Sequence, residues 1–172
     1  YYTAFGLRAA RLIGLADERW SSLAAEWTSW SGTVDDIVQC NCLVVIARMC
    51  GVQAPRLVEA VKAHLAVSSR QHHDIYSSFL TMVTFGLLGI DHPAISTAVE
   101  AIRACRRSDA GYADQSLADS GLNTTAAAVA VLVAAGAMAE EERQRTGDFL
   151  AALQRPDGGL ASHALVTEAD LL

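Results

Sequence analysis

The sequence predicts an all-α protein made of stacked helix pairs, and three observations carry that expectation. Prolines are scarce, 3 in 172 residues, while Ala, Leu and Arg are abundant, and those side chains lose little freedom in a helix. Four apolar segments, residues 1–14, 38–51, 75–89 and 122–136, each close on a glycine, and the closures fall about forty residues apart, as helix-pair repeats do. Between them run more charged segments, residues 17–30, 55–68, 93–106 and 140–154, whose apolar residues recur with a period of about 3.6.

Taken in order, the first apolar segment ends at Gly14, where glycine supplies a left-handed helix cap. The charged segment after it carries Trp20, Trp27 and Trp30 at near-helical spacing, which suits packing on a neighbouring pair or an assembly contact. The segment closing at Gly51 is followed by Pro55, a residue that starts helices well. There Leu57, Val58, Val61 and Leu65 form one apolar stripe, against a face of Arg56, Glu59 and Lys62. The segment closing at Gly89 is followed by Pro93 in the same way. In the fourth, residues 126–135 are apolar all round, so protein must enclose them. The Gly-closed helices therefore form an inner layer and the striped ones an outer layer. A fifth inner copy begins at Thr167. Length alone favours one domain over residues 1–172.

A net charge of -6 and a pI of about 5.2 argue against a nucleic-acid partner, which needs clustered Lys and Arg. No apolar run is long enough to span a bilayer. Cys40, Cys42, Cys50 and Cys105 sit inside apolar helical patterns, which suits reduced, buried thiols and a cytoplasmic location. Tyr1 and Leu172 both fall inside helical patterns, so the expectation is a piece of a longer chain. About four and a half pairs make an arc, and its uncovered end helices should self-associate or meet further chain.

The closest internal match joins Asp109-Ala110-Gly111-Tyr112 to Asp157-Gly158-Gly159-Leu160, each turn following a helical run. Phe149-Leu150, Gln154 and Asp157-Gly158-Gly159 resemble the repeat of the prenyltransferase and terpenoid-cyclase superfamily, with Leu160 where an aromatic residue is usual. The resemblance implies an α/α toroid, an incomplete one here. An inner ring would surround an apolar cavity for an isoprenoid, and the resemblance implies an isoprenoid-processing enzyme. A non-catalytic helical-repeat scaffold for a lipid or protein partner is the alternative from another class.

Within such repeats the N-termini of inner helices face one mouth, where free backbone donors favour acids and anions. Thr33-Val34-Asp35-Asp36-Ile37 resembles the Asp-x-Asp-Asp-Thr stretch of class II terpene cyclases, with Thr33 and Ile37 departing from it. The resemblance makes Asp35 the general acid and Asp36 the neighbour that keeps it protonated; both acids equally suit helix capping. His73 and Asp74, beside His72, are candidates for binding diphosphate oxygens or moving protons. Tyr2, Phe5, Tyr76 and Phe79 recur at equivalent inner-helix positions and are candidates to line the cavity, where aromatic faces stabilise cations. Arg11 and Arg48 occupy one register near their helix ends and suit either a diphosphate or the last carbonyls.

A protein prenyltransferase β subunit, the other branch of the superfamily, would hold zinc with an Asp-x-Cys pair and a distant His; no Asp here precedes a Cys by two. Cys40 and Cys42 point in different directions on a helix, so pairing them with His72 or His73 on one metal is not expected. No cofactor is predicted, neither zinc nor Mg2+ being supported by ligand spacing.

Overall fold

The computed structural model describes residues 2–14, 22, 26, 32–68, 74–91, 93–115, 117 and 119–164, of Tyr2 and Ser68 the backbone alone. Among these the chain is all-α, with helices α1 (Tyr2–Leu12), α2 (Ile37–Met49), α3 (Pro55–Ser68), α4 (Ile75–Leu88), α5 (Ile95–Ala104), α6 (Leu122–Ala134) and α7 (Glu140–Ala152). The extended pairings are two isolated bridges, Arg106 with Tyr112 and Gln154 with Leu160. Trp20, Trp27, Trp30, His72, His73 and the expected fifth copy from Thr167 lie outside the described residues.

The closing glycines do what the pattern asked of them. Gly14, Gly51, Gly89 and Gly136 have φ of 75°, 65°, 68° and 63°, the left-handed conformation that a Cβ disfavours. Each apolar helix thereby stops at its glycine.

Contacts divide the chain into two compact units, residues 1–71 with 80–93 and residues 72–79 with 94–172. In the first, α2 packs on α1 and α3. Cys40, Leu43, Val44 and Ala47 join Ala54, Leu57, Val61 and Leu65 of the α3 side, with Phe85. Cys42, Val45 and Ile46 join Ala4 and Leu7 of α1. With partners on two sides, all eight residues from Cys40 to Ala47 are buried. The one polar group among them is satisfied: the Asn41 amide donates to the Thr84 hydroxyl at 3.2 Å, which donates to the Leu80 carbonyl at 2.7 Å. Leaving such a group unpaired costs about 1–3 kcal/mol. The stripe on α3 is as expected, with Leu57, Val61 and Leu65 buried and Arg56, Glu59 and Lys62 exposed.

In the second unit α5 packs on α6, around fully buried Ile102, Tyr112, Val131, Leu132 and Leu153. The expectation that residues 126–135 are enclosed on all sides needs correction. Thr125, Ala127, Ala128, Val131 and Leu132 are buried, but Ala126 and Ala134 are exposed and Val133 is 50% exposed. Small Ala side chains cost little when left in water, so the composition that suggested enclosure does not require it. No helix among the described residues is long and apolar enough to cross a membrane.

Candidate functional site

The two Asp-Gly type turns are built by the same hydrogen bonds. Backbone N–H groups of Arg107 and Arg155 donate to the carbonyls of Gly111 and Gly159 at 2.9 and 2.8 Å, and those of Ala113 and Ala161 to Cys105 and Leu153 at 3.1 and 3.0 Å. Asp109 and Asp157 close each turn on itself, accepting from the backbone of Gly111 and Gly159 at 3.0 and 2.9 Å. The residue before that glycine lies at positive φ in both, 69° for Ala110 and 87° for Gly158. Asp begins the turn because its short carboxylate reaches the N–H two residues on.

The first turn is locked into the second unit by side chains from several elements. Ser120 donates to Asp109 at 2.8 Å, Thr146 of α7 to the Ala110 carbonyl at 3.0 Å, and Thr124 of α6 to the Tyr112 carbonyl at 2.8 Å. The Tyr112 hydroxyl donates to Glu142 at 2.8 Å, and Arg106 stands 3.8 Å from the same oxygen. Burial, then the Glu142 carboxylate, pushes the Tyr112 phenol well above its ordinary range. This network joins the turn after α5 to the start of α7, so the role of the repeat is to fix one helix pair against the next. Tyr112 was legible as the aromatic residue of the repeat, whereas nothing local marked Glu142 as its partner.

At the start of α2, Asp36 is the N-cap, accepting from the Gln39 backbone at 2.7 Å. Gln39 returns the contact, its side-chain oxygen accepting from the Asp35 backbone at 2.8 Å, and Thr33 donates to Asp35 Oδ1 at 3.3 Å. This reciprocal arrangement is close to a capping box. Both acids are exposed. The structure thus brings Thr33, Asp35 and Asp36 together at the start of α2, with Asp36 spent on the backbone and one oxygen of Asp35 on Thr33.

The start of α4 carries two carboxylates. Asp74 accepts from the Ser77 backbone and hydroxyl, both at 2.8 Å, and Asp114 accepts from the Ile75 backbone at 2.8 Å. Burial opposes ionisation of Asp74, but the hydrogen bonds from Ser77 outweigh it and hold its carboxyl below the ordinary value. Arg107 steadies the loop bearing Asp114, donating to the carbonyls of Asp114 and Leu117 at 3.1 and 2.9 Å. Asp114 and Arg107 were not foreseen, because they arrive at this helix end from the loop after α5. Tyr76 and Phe79 sit on α4 with ring centroids 6.1 Å apart, and Tyr76 is 45% exposed. Phe5 is 52% exposed on α1, and the Tyr2 side chain lies outside the described residues. At the start of α6, a cleft of about 300 Å³ is lined by Leu117, Asp119, Asn123, Thr124, Ser162 and His163.

The thiols behave as core residues. Cys40 and Cys42 belong to different apolar clusters, one on the α3 side and one against α1. Burial, with a further push from the Asp36 charge, raises the Cys40 thiol to about 12, so it is not the ready thiolate a metal prefers. Among the described residues no three His, Cys, Asp or Glu side chains gather as a metal site.

Paired helices with glycine closures and a repeated Asp-led turn define an α/α toroid. The sequence model of the prenyltransferase alpha-alpha toroid domain matches residues 56–171, and the chain belongs to that family. It is accordingly a member of the prenyltransferase and terpene cyclase superfamily. No curated protein and no solved structure matches the chain significantly.

Proposed function

We propose that the protein is an isoprenoid-processing enzyme that takes a polyprenyl or terpenoid substrate against its apolar inner helices. The family match over residues 56–171 is the observation that carries this reading. The candidate chemistry is a protonation-initiated cyclisation in which Asp35 gives a proton to an alkene or epoxide. Asp36, engaged by the Gln39 backbone, supplies a fixed carboxylate beside it. Such an acid works best shielded from water, so the substrate's own apolar body has to close over Asp35. Tyr2, Phe5, His73, Asp74, Tyr76 and Phe79 are the groups assigned to the substrate and its cation or diphosphate.

A second reading has its own support. Asp35 and Asp36 are exposed and joined in a capping arrangement, which a non-catalytic helical scaffold would also need. The experiment that separates them compares wild type, Asp35→Asn and Asp36→Asn with squalene and linear prenyl diphosphates. The enzyme reading expects Asp35→Asn to lose turnover by about a hundredfold or more with an unchanged melting temperature. Equal turnover in Asp35→Asn removes Asp35 as the acid.

A further inference from the structure

A cleft of about 770 Å³ lies within the first unit, between the end of α2, the chain after Gly51, the start of α3 and the end of α4. That size is in the range of small-molecule sites, about 300–1,000 Å³. Val44, Ala47, Leu57, Val58, Leu87 and Leu88 line it, and no described aromatic side chain does. Its described charged lining residues are Arg48 and Glu59. Glu59 is held by Lys62 at 3.1 Å. Arg48 is exposed in the last turn of α2; its carbonyl accepts from the Gly51 N–H at 3.2 Å, but its guanidinium makes no hydrogen bond or ion pair among the described residues. The pairing with the last helix carbonyls that its sequence position suggested is therefore not made, and its planar five-donor fork remains unspent at the edge of an aliphatic cleft.

We propose that this cleft binds a flexible aliphatic chain with an anionic head, a carboxylate or a phosphate monoester, the head pairing with Arg48. An aliphatic lining accepts a chain by burial alone, at about 25 cal/mol per Å² removed from water. Sugars and nucleotides would need many more polar partners than it offers. With no aromatic face to stabilise a carbocation, it is a binding site and not a place for cyclisation. It is also remote from Asp35: the two sit at opposite ends of α2, whose 13 residues rise about 20 Å. A guanidinium matches both head groups through two parallel hydrogen bonds. The proposal does not depend on the isoprenoid reading, because it is tested without turnover.

The test is isothermal titration of the intact protein with decanoate, decyl phosphate and uncharged decanol. Wild type is expected to bind all three, the anions more tightly, and the tighter anion names the head group. Arg48→Gln should weaken both anions by about tenfold or more, at least the size of one charge-assisted hydrogen bond, and leave decanol unchanged. Val58→Trp, which fills the cleft from a half-buried position, should weaken all three. Circular dichroism checks that each variant is folded, with Arg48→Met and Leu88→Trp as replacements. No binding by wild type, an anion preference that survives Arg48→Gln, or binding untouched by Val58→Trp would each overturn the proposal.

Discussion

Ala110 sits at φ 69°, while the residue in the same place of the second turn, Gly158, sits at 87°. An L side chain there crowds the following carbonyl, at about 1–2 kcal/mol, whereas glycine costs some entropy in the unfolded chain. The balance favours glycine, so Ala110→Gly should raise stability by about 0.5–1 kcal/mol in urea unfolding, and Gly158→Ala should lower it. One position later the sign reverses. A Cβ on Gly111 would lie 2.5 Å from the Ser120 Cβ and 2.7 Å from Phe149 Cζ, so Gly111→Ala should cost about 2 kcal/mol or more. A gain in stability for Gly111→Ala would show that the turn is not built as described. The sequence alone aligned the two turns correctly. It did not reveal that Ala110 is strained, because alanine carries no mark of the conformation its neighbours impose.

At the scale of the helix, the ends decide what is exposed to a ligand. Asp74 caps α4 through the Ser77 N–H, and Asp74→Ala should cost about 1 kcal/mol at neutral pH. Its carboxyl is depressed in the folded state, so the stabilisation is fully present above the unfolded carboxylate value and fades as pH falls through the folded one. Melting curves from pH 7 downward should therefore show the wild-type advantage narrowing in acid; an advantage that grows in acid would contradict the capping role. The helix ends themselves were legible, since glycines and Asp-led starts announce them locally. Asp114 and Arg107 were not, for their contacts to the start of α4 and to the intervening loop depend on how that loop folds back. The boundaries of α5 also shifted, from the expected 93–106 to Ile95–Ala104, because residues 105–113 are given over to the turn.

For the whole molecule, stacked helix pairs followed from one period and the toroid from the resemblance carried by the Asp-led turn, whereas the enclosure of each inner helix did not follow. α2 is buried along Cys40–Ala47 because α1 and α3 flank it; Val133 of α6 is half exposed. Leu12 and Ile13 at the end of α1 are 87% and 71% exposed, and apolar surface of this kind favours association. We expect static light scattering at micromolar concentration to give a mass above that of one chain, and replacing Leu12 and Ile13 by Ser to reduce it. A monomer in both cases would show that α1 needs no partner. Isoprenoid processing by the protein is read out by mass spectrometry of the products after incubating purified protein with squalene or linear prenyl diphosphates. A cyclised or transferred isoprenoid, absent from heat-killed protein, is expected; recovery of every substrate unchanged, with no isoprenoid bound, would rule that function out.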